Sequence, residues 1–298
     1  MVGLGSNDSL RGIFSTIFQE HFSLTTTQLG LIVTASYIGN LVFLLVGGNL
    51  STRFSKKRVL QVLILIWMAA LALFAFTSNY TVLLIGMALA LGSSTLLNTT
   101  MNLITPLLFA TAPGFFVNFL FFTQEIGTSG SQYILGSHAD GFSFWQHTNL
   151  VLLILGAVAF VLLLFCNVPE EAAAPADAPA QKGGYDWRII VPYVLVFGFY
   201  FIAEHGVMNW MVAYGVDGLG LPQASAAKYL SVFFGGMMIG RLCLSPLVDK
   251  LGALKSLAAF GGVSCVLYLI GSLGGAVTMP VWAISGLSFS ILYPTLVM

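Results

Sequence analysis

The sequence predicts an all-α integral membrane protein with about ten transmembrane helices, and three observations predict it. Of the 298 residues, 57% are hydrophobic and only 7% charged, where a soluble domain carries about a quarter charged residues. Apolar side chains in such excess have only lipid to face, and the mean hydropathy of +0.92 agrees. Apolar segments recur at about the 20 residues that a helix needs to cross the hydrocarbon core. The breaks between them are mostly short, as in hairpins of packed helices.

Taken in order, the segments run near 1–20, 28–50, 58–77, 80–107, 113–136, 147–167, 187–214, 225–248, 254–275 and 278–298. The first carries Asn7, Asp8 and Arg11, which excludes a cleavable signal peptide, because an apolar signal core is free of charge. That helix is itself the targeting signal. The second closes on the basic run Arg53, Lys56, Lys57 and Arg58, and the third on Ser78-Asn79. The fourth holds Ser94, Asn98 and Asn102 at i, i+4 and i+8. After Ala112-Pro113-Gly114, the fifth repeats polar residues at Asn118, Glu125, Ser129 and Gln132, a stripe that lipid does not tolerate. The sixth ends at the one stretch of linker composition, NVPEEAAAPADAPAQKGGYDW from Asn167 to Trp187. The seventh contains Glu204 and His205, and the eighth has Gly235, Gly236 and Gly240, small residues that let helices approach closely. The ninth and tenth are apolar to Met298.

The linker divides the chain into a six-helix bundle at 1–167, a cytoplasmic linker at 168–186 and a partial bundle of helices seven to ten at 187–298. Met298 falls inside an apolar helix and Asp8 follows only seven residues, so the chain reads as cut at both ends. Lys182 and Arg188 in the linker, with Lys250 and Lys255 after helix eight, fall on the same side as the basic run after helix two. Basic residues concentrate on the cytoplasmic side, which puts the N-terminus in the cytoplasm.

Composition also excludes. Net charge is zero and the pI is near 6.9, so nothing points to nucleic acid or to a strongly acidic partner. Cys166, Cys243 and Cys265 are odd in number, without metal spacing, and read as buried small hydrophobes. His21, His138 and His147 near loops make no metal set. No nucleophile-base constellation or phosphate loop accompanies the helices, so neither an enzyme nor a cofactor is expected.

An internal repeat is visible. Gly48 to Arg58 after segment two recurs in outline as Gly240-Arg241 and Leu247 to Lys255 after segment eight, and parallel six-helix repeats of this kind mark one transporter architecture. The loop resembles that of the major facilitator superfamily, matching at Leu247, Asp249, Lys250 and Gly252 but departing at Thr52 and Ser55 in the first copy. Within the superfamily the chain is similar to the fucose-proton symporter branch, the fucose-galactose-glucose-proton symporters. The likeness rests on Asn7-Asp8, Leu24-Thr25 to Gln28-Leu29-Gly30-Leu31-Ile32, Gly92 to Asn102, Ala203 to Arg241, and Tyr293-Pro294-Thr295.

The resemblance implies the major facilitator fold, with two six-helix bundles, two further helices after Met298 and a longer first helix. It implies proton-coupled uptake of a sugar or similar small polar solute by alternating access. The protein would work as a monomer, multi-pass, in the inner (plasma) membrane, with solute, proton and the lipid bilayer as its partners. Arg53, Asp249 and Lys250 correspond to the loop that gates the helix ends.

Charges persisting in hydrocarbon cost at least about 2.5 kcal/mol each, so Asp8, Arg11, Glu125, Glu204 and His205 are candidates for work. Asp8 resembles the family's protonatable carboxylate. Arg11, three residues on, leaves two readings open: a neutralising ion pair with Asp8, or a guanidinium that grips an anionic substrate. The family's second acid belongs in helix four, where this chain has Asn98; Glu125 is the best replacement for it, against a packing role in helix five. Asn98 and Asn102, with Gln124, offer paired donors and acceptors to hydroxyls, or close helix packing. Glu204 and His205 point about 100° apart, which leaves one of them, Glu204, facing the cavity. Tyr200, Asn209 and Trp210 complete the candidate binding face, with helix packing as the alternative for the aromatics. An organic-anion or drug carrier of the same fold, or a sensor that binds without transporting, are the competing functions.

Overall fold

The computed structural model describes residues 1–109, 113–168 and 187–297, leaving aside the side chains at 48–53, 106, 113–115, 117, 118, 189, 245, 246, 249, 294 and 297. The linker from 169 to 186, with Lys182, and the side chains of Arg53, Asn118 and Asp249 therefore lie outside the described residues.

Among the described residues the chain is helical from end to end. The first segment is α1 (Val2–Ile13) and α2 (Ser15–His21), followed by α3 (Thr26–Arg53), α4 (Lys56–Phe76), α5 (Tyr80–Leu108), α6 (Pro113–His138) and α7 (Phe142–Phe165). Beyond the linker come α8 (Trp187–Ala213), extended by a π-helical turn at Tyr214–Gly218, then α9 (Gln223–Leu251) and α10 (Ala253–Leu273). The last segment is α11 (Met279–Ile284), α12 (Gly286–Phe289) and α13 (Leu292–Val297). Among the described residues seven of the helices are long and apolar enough to cross a membrane.

The first and last segments differ from the uninterrupted helices expected. Serine hydroxyls mark both sets of breaks. Ser15 Oγ donates to the Gly12 carbonyl at 2.8 Å, and Ser285, Ser288 and Ser290 each bond the carbonyl three residues back. Such back-bonding draws carbonyls out of the ladder and bends helices.

Turns follow from local chemistry. Asn79 Oδ1 accepts from the backbone N–H of Thr81 and Val82 at the start of α5, satisfying donors that a helix leaves free. Gly252, at φ 81°, is the single residue between α9 and α10, and only glycine takes that conformation without strain.

In the first half of the chain, α3 packs on α5, α1 on α6, and α4 on both α5 and α7. Its core is aromatic: Phe18 meets Trp145 edge-on at 4.8 Å, and Phe14 and Phe74 approach the same indole at 5.3 and 5.1 Å. A second core gathers Tyr200, Phe233, Phe234, Met237, Trp282 and Phe289 from α8, α9, α11 and α12. Between the halves, α6 packs along α9, and α8 touches α1 and α2. Large apolar side chains cover the outside, such as Phe165 at 84% and Ile202 at 70% exposure, a surface that suits lipid. All three cysteines are exposed on it, correcting their reading as buried: the apolar neighbourhood of a lipid-facing cysteine is the bilayer.

Candidate functional site

Among the described residues three polar clusters lie inside the bundle, and two of them join the halves. The first is built on α1. Asp8 is half-buried and accepts from Ser94 Oγ of α5 at 3.1 and 3.3 Å and from Asn7 Nδ2 at 3.4 Å. Arg11 is 5% exposed and turns the other way, donating through Nε to Asn209 Oδ1 of α8 at 3.4 Å. The Asn209 amide donates to the Tyr37 hydroxyl at 3.1 Å and to the His205 carbonyl at 2.7 Å. Tyr37, on α3, lies beneath the guanidinium at 5.8 Å and meets the His205 ring edge-on at 5.6 Å. The Asp8–Arg11 ion pair left open by their spacing is absent among the described residues, because each has a partner on a different helix.

Backbone contact makes this junction possible. Gly12 and Gly5 lie against the carbonyls of Met208 and Gln124, where any Cβ would overlap. Small residues here let α1 run tight between α6 and α8.

The second cluster joins α6 and α9. Glu125 Oε1 meets Arg241 Nη1 at 2.7 Å, a charge-assisted distance. Glu125 Oε2 and Arg241 Nε are buried and have no hydrogen-bond partner among the described residues. Glu204 and Tyr200, one turn apart on α8 and both buried, lie within electrostatic reach of Arg241. Toward α2 the seam continues: Ser129 Oγ donates to the Ser231 carbonyl at 3.0 Å, and Ser231 Oγ to the Ser129 carbonyl at 2.8 Å. Gln223 Nε2 donates to the Ile13 carbonyl at 2.6 Å. Gln132, on the same face of α6, is fully buried with both side-chain polar atoms unpartnered among the described residues.

The third cluster stays within the first half. Asn98 Nδ2 donates to Gln124 Oε1 at 2.8 Å, and Asn102 Nδ2 to Asn98 Oδ1 at 3.1 Å.

Of the residues singled out from sequence, Asp8, Arg11, His205 and Asn209 therefore come together, as do Glu125, Glu204 and Tyr200, while Asn98, Asn102 and Gln124 form the third group. Glu204 lies within electrostatic reach of Arg241, while the His205 ring bonds the Phe201 carbonyl of its own helix and meets Tyr37 edge-on. Trp210 is displaced from them. It lies with Gly206, Tyr214, Tyr268, Ser272 and Trp282 in a groove on another face of α8. Lys250 is exposed at the end of α9.

Arg241 and Tyr37 were not among the candidates. Arg241 carried a usable signal: it lies ten residues before the end of α9, about 15 Å along the helix, too deep for a loop motif. Tyr37 carried none, since one aromatic in an apolar helix is ordinary.

The family model of the Major Facilitator Superfamily matches residues 2–298. The chain belongs to the Major Facilitator Superfamily. Among its relatives in that superfamily, the L-fucose-proton symporter of Escherichia coli (strain K12) is 24% identical over 333 residues, a match covering 97% of this chain and 75% of the relative. A putative glucose/galactose transporter of Helicobacter pylori (strain ATCC 700392 / 26695) is 26% identical over 178 residues, covering 59% of this chain. That match spans only 43% of the relative's length. A crystal structure of the major facilitator transporter FucP in the outward conformation superposes with a TM-score of 0.69 at 20% identity, covering 99% of this chain and 80% of the other. The fold is therefore the major facilitator fold.

Proposed function

We propose that the chain is a secondary active transporter that takes up a sugar or similar small polar solute together with protons, by alternating access between two helical halves. The observation that carries the reading is the Glu125–Arg241 pair, a titratable carboxylate bonded to a guanidinium across the seam between the halves. Breaking a buried ion pair while both charges remain is costly. A proton on Glu125 removes one of them, so proton occupancy and the hold between the halves are linked. Asp8, in the other cluster that spans the seam, is the proton site beside the solute, and Glu204 shares Arg241 with Glu125. Names of the relatives, a fucose-proton symporter and a glucose/galactose transporter, support a sugar and a proton. The moving units are 1–167 and 187–298, joined by the linker at 168–186. Lys56, Lys57, Arg58, Lys250 and Lys255 at one end of the helices support a cytoplasmic N-terminus in the inner (plasma) membrane. The protein works as a monomer without metal or cofactor, and it is not an enzyme.

The test is a solute panel, neutral and acidic, offered to cells making the protein while external pH is recorded. Alkalinisation on adding a solute, lost in Asp8→Asn, is the expected result. Solute accumulation without proton movement, or an unchanged response in Asp8→Asn, would sink the coupling.

A further inference from the structure

The two guanidiniums of the seam are served differently. Arg241, partly exposed, has a carboxylate at 2.7 Å. Arg11, the more deeply buried of the two, has none: its one hydrogen bond is from Nε to a neutral amide oxygen, and no acidic side chain lies within ion-pair distance among the described residues. Asp8, the nearest acid in sequence, is engaged by Ser94 and Asn7. Among the described residues, both terminal nitrogens of Arg11, four N–H donors in one plane, are thus without a protein acceptor. Asp8 lies within electrostatic reach of this guanidinium but does not bond it, and a buried charge without a directly bonded counter-charge is costly and persists where function needs it.

The fork is also held in place. Tyr37 lies against its face at 5.8 Å, and Asn209 fixes Nε while being tied itself to Tyr37 and His205. A guanidinium restrained at its root and face presents its outer edge in one orientation, which is what bidentate recognition of a planar carboxylate requires. Near it are two groups suited to hydroxyls: the His205 imidazole, edge-on to Tyr37, and the Asp8 carboxyl within electrostatic reach.

We propose that Arg11 is the seat of a substrate carboxylate, so that the solute is a sugar acid rather than a neutral sugar. The proposal rests on the symporter reading and names its substrate class. A single guanidinium with no bonded carboxylate matches a monoanion. A phosphate dianion beside Asp8 would overfill it with negative charge.

The test measures binding of D-glucuronate, D-glucose and glucose 6-phosphate to the purified protein and to Arg11→Gln and Arg11→Lys, with the melting temperature of each recorded. D-Glucuronate should bind about tenfold or more tighter than D-glucose, the worth of hydrogen bonds to a charged group. Arg11→Gln should erase that preference, and Arg11→Lys should keep part of it, since charge remains but the fork is lost. Equal or tighter binding of D-glucose by the unaltered protein overturns the proposal, as does an unchanged glucuronate affinity in Arg11→Gln. Should Arg11→Gln not fold, Arg11→Lys and the solute comparison decide. Preference for glucose 6-phosphate overturns the carboxylate assignment. In vesicles, proton-driven accumulation of D-glucose but not D-glucuronate sinks this inference and leaves the symporter reading standing. No accumulation of either sinks the symporter reading, while the binding comparison still judges Arg11.

Discussion

Glu125 and Arg241 are held at 2.7 Å with side chains 11% and 20% exposed, so loss of one leaves the other's charge largely out of reach of solvent. Arg241→Gln leaves Glu125 and Glu204 near each other without a cation, and we expect a loss of about 2–3 kcal/mol, below that of a fully buried pair because the guanidinium is partly exposed. Adding Glu125→Gln should return a good part of it, because two neutral amides can bond where one stranded charge could not. Unfolding of the single and double variants in detergent checks this. A double variant no more stable than Arg241→Gln alone would show that the pair is not a unit. Local spacing limited what could be foreseen at this scale. Asp8 and Arg11 were visible as charges in an apolar run, but their spacing suggested a mutual bond. The partners that claimed them, Ser94 and Asn209, lie 86 and 198 residues away in sequence.

For the helices, hydropathy was a sufficient guide to number and order, and an insufficient one to continuity. Ten segments were legible because each must span the same apolar thickness. The breaks near Phe14, Ser285 and Ser290 were not, since a serine hydroxyl that bends a helix has the same hydropathy as one that does not. Glycine has a comparable ambiguity. Gly12 looks like any of the chain's 32 glycines, yet α1 and α8 meet there with carbonyl against Cα. Gly12→Leu should force the two helices apart, separating Arg11 from Asn209. We expect it to abolish solute binding while Gly30→Leu, where a side chain would meet nothing within 4 Å, leaves binding intact. Equal effects of the two would remove the case for a tight α1–α8 junction.

Across the whole molecule, one row of contacts between the halves runs from Gln223 and Ile13 through Ser129 and Ser231 to Glu125 and Arg241. If the halves rock, this line must part. The hydroxyls of Ser129 and Ser231 are 3.3 Å apart, so cysteines placed at both positions should join on oxidation. Ser129→Cys with Ser231→Cys is then expected to transport when reduced and to stop when oxidised, as read by uptake before and after dithiothreitol. Uptake that continues through the cross-link would mean that this line stays shut during transport.

Those two serines also suggest why such a line opens readily. Each hydroxyl leans on a carbonyl of the facing helix, yet a serine in a helix always has a second acceptor within reach, one turn back on its own strand of backbone, as Ser36 uses Ile32 and Thr100 uses Leu96. When the surfaces separate, each proton can swivel home, and no donor is stranded in oil. The fastening behaves like a latch with a built-in rest position, indifferent to which way it is turned. The directional choice is left to the charged residues further down.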